Sequence, residues 1–407
     1  MIAAGLFLLT AAVLLLPMLP ALVEWRWPRD VVPLPIDGQD ALDPPFLARS
    51  FVEQLAHAMA GGQQRLGRSL IARAPMHGEL PLTERERKWL RSRRVWFAPG
   101  DLALPAGMSF LGEVAVEGRL CTAANAVYRG LRARGRLELA AHCTILRWAH
   151  ASVVDVQSGC DLAGRVSAEE RINLLGPANF MLLHAPTLCF GTDPAQPEET
   201  PPWTGFARAR SARGLGAAHG DGPPAGACGG LPAPVVWNEV ARRGTCIGAL
   251  QVASDSQWLG DLVCHGDLAL GPRCDAGGSL KVHGDLVASA GCRVAGSLVV
   301  GGRIDLGMAC VVLGSVVSED EILLGAGCII GAPGRPATVS APRIRVAPGV
   351  VVHGTIWALE SGRTQSTDAW ADEPERLDAA FVERREAVPS DWPEAVVDAR
   401  LTIWGRW

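Results

Sequence analysis

The sequence predicts an all-β solenoid, a parallel three-faced β-helix with 18 residues per coil, and three observations carry that prediction. First, from Leu262 to Pro333 the chain divides into six-residue pieces that each begin with an aliphatic residue or cysteine, from LVCHGD, LALGPR and CDAGGS to VVSEDE, ILLGAG and CIIGAP. Three pieces make a higher repeat of 18, so Leu262, Leu280, Leu298 and Val316 share one phase. Leu268, Leu286, Ile304 and Ile322 share a second, and Cys274, Cys292, Cys310 and Cys328 a third. A fixed period of this kind marks a repeat architecture. Second, positions 1 and 3 of each piece are mostly apolar and position 2 varies, the alternation of a half-buried strand. Third, positions 5 and 6 are often Gly-Asp, Gly-Ser or Gly-Arg, where glycine permits a corner and a small polar neighbour bonds the bend. Successive coils then lie about 4.8 Å apart and each inward row becomes a ladder of like side chains. A sandwich of short strands would carry hairpin turns roughly every 8–12 residues, and that spacing is missing.

In chain order, residues 1–27 read as a transmembrane anchor. Ile2 to Val23 is uncharged and rich in Leu, Ala and Val, long enough to cross the hydrocarbon core. Pro17 and Pro20 would kink it, and Trp25 and Trp27 stand where an interfacial aromatic belt belongs. The segment has no basic n-region and a poor cleavage site at Leu19-Pro20-Ala21-Leu22, which favours retention over a signal peptide. Arg26, Arg29 and Arg49 follow the apolar run, so the positive-inside rule places the amino terminus outside and the rest in the cytoplasm. Residues 28–95 form a linker with helical pieces. Phe46 to Ala60 is an amphipathic helix whose stripe is Phe46, Phe51, Leu55 and Met59, suited to cover the first coil, a membrane surface or a partner.

Residues 96–190 carry a weaker six-residue beat, about five degenerate coils beginning near Met108, Val114 and Leu120. Residues 191–245 are a Pro-, Gly- and Ala-rich insertion that cannot bury a core and reads as a loop leaving one corner, able to offer a face to partners. Residues 246–358 hold about six regular coils, interrupted by a four-residue slip across Pro333-Gly334-Arg335-Pro336. The tail, 359–407, has a short helix from Glu375 to Ala387, with Leu377 and Phe381 one turn apart. The two solenoid stretches stacked together would make a rod about 50 Å long.

The formal charge of −4 points to no nucleic-acid partner. The basic run Arg85 to Arg94 reads as a solvated helix face, or as a contact with anionic lipid if it lies near a membrane. Eleven cysteines, several at inward starts of the pieces, behave as small hydrophobes. Parallel Cβ vectors in a ladder hold sulfurs apart, and a straight row cannot converge four ligands on zinc. Such a thiol-rich core suits a reducing compartment.

The stretches VHGDLVASAGCRVAGSLVVGGRIDLG and IRVAPGVVVHGTIWA resemble the bactofilins, the bacterial polymer-forming cytoskeletal family, well over 246–358 and loosely over 96–190. The resemblance implies a right-handed β-helix that assembles end to end without nucleotide, lies at the inner face of the membrane, and scaffolds cell shape or envelope synthesis. It implies no catalytic residue, no cofactor and no metal, with the chain itself as partner, besides envelope or morphogenesis proteins. On this reading the carboxy-terminal coil supplies an apolar polymer end face from Val350, Val352 and Ile356. The anchor, the split solenoid and the cysteine ladder depart from the family pattern.

The main alternative is an enzyme of the hexapeptide-repeat acyltransferase type, for which ILLGAGCIIGAP would serve as two repeats. Such chemistry needs a histidine near a subunit boundary, and the candidates are His265, His283 and His353, then His142 and His150. His265 and His283 stand 18 apart on one outward corner without a visible third ligand. In a secreted lyase, acidic residues would cluster on one face, whereas Asp261, Asp267 and Asp285 sit at corners.

Overall fold

A computed structural model of the chain describes residues 43–75, 80–191 and 235–365, with Arg26 and Leu231 besides. The chain divides into two compact units, Met1–Phe46 and Leu47–Trp407. The second is a parallel β-solenoid of about 13 turns with few helices. The anchor expected at 1–27, apart from Arg26, the bulk of the insertion and the tail helix lie outside the described residues. Among the described residues no helix is long and apolar enough to cross a membrane.

The solenoid begins earlier than the six-residue beat. The strand Ser69–Arg73 pairs in parallel with Val95–Ala98, Ile71 opposite Val95, and is backed by Arg65–Leu66 in a hairpin. From there one inward column runs Trp96, Val114, Leu131, Ala149, Val166 and Leu183, each paired with the next at intervals of 17 or 18. The lost residue appears as register shifts, for example between Phe110 and Glu113. That irregularity weakens the repeat in the sequence while the core stays continuous.

Two helices accompany this first segment. Helix α1 (Phe46–Ala60) buries Ala48, Phe51, Leu55 and Ala58. They pack on Val95, Ala115 and Trp148, which alternate with inward Trp96, Val114 and Ala149, so α1 lies along an outer wall and does not plug the core. Helix α2 (Glu84–Trp89) starts at a capping box, Thr83 Oγ1 accepting from the Glu86 amide while Glu86 accepts from the Thr83 amide, an arrangement that satisfies otherwise orphan donors. Glu86 also accepts from Ser92 at 2.8 Å, which ties α2 to the first coil.

The second segment is regular. Leu262, Leu280, Leu298 and Val316 pair in turn, then Val316 pairs with Val339. The interval widens at that last step because the chain turns out between Ala332 and Arg335, which exchange backbone hydrogen bonds of 3.1 and 2.8 Å. At the corners Asp261, Asp267 and Asp285 accept the amides of Ser279, Asp285 and Arg303, each 18 residues on, at 2.8–2.9 Å. The corner aspartates thus bond coil to coil. The insertion is shorter than 191–245: Val236–Asn238 and Arg243–Cys246 form an antiparallel hairpin that opens the second segment.

The two segments meet through their last coils. The strand Ala178–Phe190 pairs antiparallel with Val351–Thr364, Phe180 opposite Gly362, Leu183 opposite Ile356 and Leu188 opposite Val352. One core therefore runs through both segments, and strand direction reverses at this seam. Both remaining poles are built from early coils of a segment.

Candidate functional site

The expected polymer end face is the seam itself. Val350, Val352 and Ile356 have no exposed surface. Val352 and Ile356 face the first segment's last strand, and the Val350 carbonyl accepts from the Phe190 amide at 3.0 Å. These three residues bind the chain to itself and are not offered to a second copy. Around them Phe180 and Phe190 meet at 6.0 Å between ring centroids. A side chain at Gly362 would fall on the Phe180 ring, and one at Gly354 (φ +129°) on the Ala337 backbone, so both glycines admit close approach.

Polar groups finish the seam. Thr364 Oγ1 accepts from the Ala178 amide at 2.7 Å and donates to the Gly176 carbonyl at 3.0 Å. His184 Nδ1 meets Thr355 Oγ1 at 2.8 Å, and His353 Nδ1 meets the Pro186 carbonyl at 3.1 Å. Burial holds the His184 imidazole below its ordinary value, toward the neutral ring. His184, Gly362 and Pro186 carry no periodic mark, and nothing in the sequence singles them out.

Cys274, Cys292, Cys310 and Cys328 lie one above another on the inside. The amide after each later cysteine donates to the carbonyl of the cysteine one coil before, at 2.8–2.9 Å. Every thiol caps a corner carbonyl of the preceding coil: Ala253, Gly271, Ser289 and Gly307, at 3.1–3.2 Å. Cys143 and Cys160 repeat the device in the first segment, onto Ala123 and Ala140 at 3.2 Å. A thiol here fills an apolar position and satisfies a carbonyl that valine would leave bare. None of the ten described cysteines forms a disulfide, and burial pushes the Cys274 thiol up, toward the unreactive form.

The candidate histidines scatter. His265 and His283 stack in parallel at the surface, centroids 4.8 Å apart and planes within 7°. His353 belongs to the seam and His142 stands exposed at a corner with φ +58°. His150 lies on an outer wall with Ser167 Oγ 2.9 Å from Nδ1 and Glu169 3.8 Å from Nε2. Ser167 is itself buried, so this Ser-His-Glu row presents no reachable nucleophile. Among the described residues no group of three or more His, Cys, Asp or Glu could hold a metal ion.

The second segment begins at a pole formed by residues 235–259. Leu250–Val252 and Gln257–Trp258 pair only with the next coil among the described strands. Around them Val236, Val240, Ile247 and Leu259 are exposed, Val240 at 98% and Ile247 at 85%. An edge without a partner among the described strands, beside exposed apolar side chains, invites another strand. Compared with protein-family models, with curated proteins and with solved structures, the chain matches none.

Proposed function

We propose that the chain is a structural scaffold of bactofilin type, a right-handed three-faced β-helix that associates end to end and is held at the cytoplasmic membrane by residues 1–27. On this reading the amino terminus lies outside, the solenoid lies in the cytoplasm, and the rod organises envelope or shape without catalysing a reaction. The observation that supports it most is the seam, where one solenoid end of this sequence already serves as the docking face for another. Because Val350, Val352 and Ile356 are consumed there, association between copies runs through a pole. The pole at 235–259, with its one-sided strands and exposed Ile247 and Leu259, is the better equipped.

The test is the mass and appearance of the detergent-solubilised full chain, by light scattering and electron microscopy, beside the Ile247→Lys/Leu259→Lys variant. Both side chains are exposed, so the variant keeps its fold. The scaffold reading expects end-joined rods or filaments that the variant reduces to single chains. Single chains from the wild type, or compact trimers that bind an acyl-coenzyme, would replace the scaffold with a monomer or with the acyltransferase alternative.

A further inference from the structure

We propose that the amino-terminal pole of the solenoid, at helix α2 and the hairpin 65–73, docks on an anionic lipid bilayer surface. The charges there are one-sided. Arg85, Arg87, Lys88 and Arg93 are exposed on and beside α2, and Arg65, Arg68 and Arg73 are exposed on the hairpin. The hairpin region 61–75 contains no acid, and Thr83 to Arg94 contains only Glu84 and Glu86. Glu86 is spent internally: buried, bonded to Thr83 and Ser92, and 3.4 Å from Arg94. Those contacts hold its carboxyl below the usual range despite burial, so it stays ionised and paired. Within the described residues of these two stretches, Glu84 is then the one acid left to offset the exposed cations.

Apolar side chains are exposed on the same two elements. Trp89 is 68% exposed and Leu90 is 53% exposed, with Leu70 of the hairpin exposed as well. Arg85, Lys88 and Trp89 are helical neighbours three and four residues apart. Leu90 closes α2 in the left-handed region, φ +47° and ψ +38°, a conformation that disfavours any side chain and suits glycine. A leucine held there turns an apolar group outward at the helix end. Tryptophan and leucine exposed beside arginine and lysine on and next to α2 fit a headgroup boundary, where an amphipathic ring finds its place and the cations find phosphate. A polynucleotide would use the same cations but leaves Leu90 and Leu70 without a role.

Hydrogen exchange of the full chain reconstituted in vesicles tests the assignment apart from any anchor. In vesicles with about one-third phosphatidylglycerol, amides 84–93 should exchange about tenfold more slowly than in pure phosphatidylcholine, and high salt should erase the difference. Arg85→Glu/Arg87→Glu/Lys88→Glu should abolish the lipid dependence at unchanged thermal stability. Trp89→Ala should weaken the protection while leaving its salt dependence intact. Equal exchange in both lipids overturns the proposal, as does protection by single-stranded RNA in place of phosphatidylglycerol. Neither result bears on whether the rods associate end to end.

Discussion

Gly362→Ala probes the seam directly. The new methyl group would meet the Phe180 ring, whose Cζ lies 2.7 Å from the Cβ position. Phe180 is 1% exposed and leans on Phe190, so the ring has no free direction in which to turn. Overpacking a closed core of this kind costs about 1–3 kcal/mol. Solenoid stability is a sum of coil and nearest-neighbour terms, so the loss belongs to the seam and is read there. Hydrogen exchange of 178–190 and 351–363 should quicken by about 5- to 150-fold, while the coils around Leu280 and Leu298 hold their rates. Phe180→Leu alone should lose about 1.5 kcal/mol. In the double variant the clash is gone, so the two losses should fall short of additivity by at least ~1 kcal/mol. Full additivity, or a neutral Gly362→Ala, would mean that Phe180 does not face Gly362, and the antiparallel joint would have to be abandoned.

Three further outcomes follow from single contacts. The folded His184 favours its neutral ring, so its contribution is complete above the unfolded value of about 6.5 and drains away as pH falls through the lower folded value; urea titrations from pH 8 to pH 5 should show seam stability dropping, and His184→Gln should flatten the curve. Cys292→Val removes the hydrogen bond to the Gly271 carbonyl, 3.2 Å long, at a cost of about 1 kcal/mol; Cys292→Ser restores an acceptor-seeking hydroxyl and should recover part of it in the same denaturation assay. Asp285→Ala strips the acceptor from the Arg303 amide, 2.8 Å away, and should speed exchange of that amide about fivefold, since the corner is exposed and water replaces part of the bond.

The regular half of the fold is legible because inward residues repeat at a fixed step. Leu262, Leu280 and Leu298 share a phase in the sequence and a column in space. The first segment is less legible for a physical reason: coils of 17 and 18 residues are mixed, and bulges absorb the difference outside the core. Its first strand carries no repeat signal because Ile71 and Val95 are separated by the detour through α2. The helix α1 was visible as an amphipathic stripe, yet its seat was not, since Val95 and Trp148 read as ordinary outward residues of strands. The seam left no trace at all. Leu183, Leu188, Val352 and Ile356 look like any inward residues, and only the antiparallel pairing makes them an interface. Histidine spacing is a partial guide: His265 and His283 do stack, but among the described residues they gather no third group, while His184 meets its partner in the other segment.

Building the molecule on a ribosome puts its two halves of the joint far apart in time. Ala178 emerges long before Thr364, its hydrogen-bond partner 186 positions later. Until then the nascent chain carries Phe180, Leu183 and Leu188 along a bare, sticky border, the kind of surface on which neighbouring polysomes tangle. Late closure makes the final coil a lock: a stop codon just ahead of Val351 would strand that border permanently, and chaperone demand would rise with every such fragment.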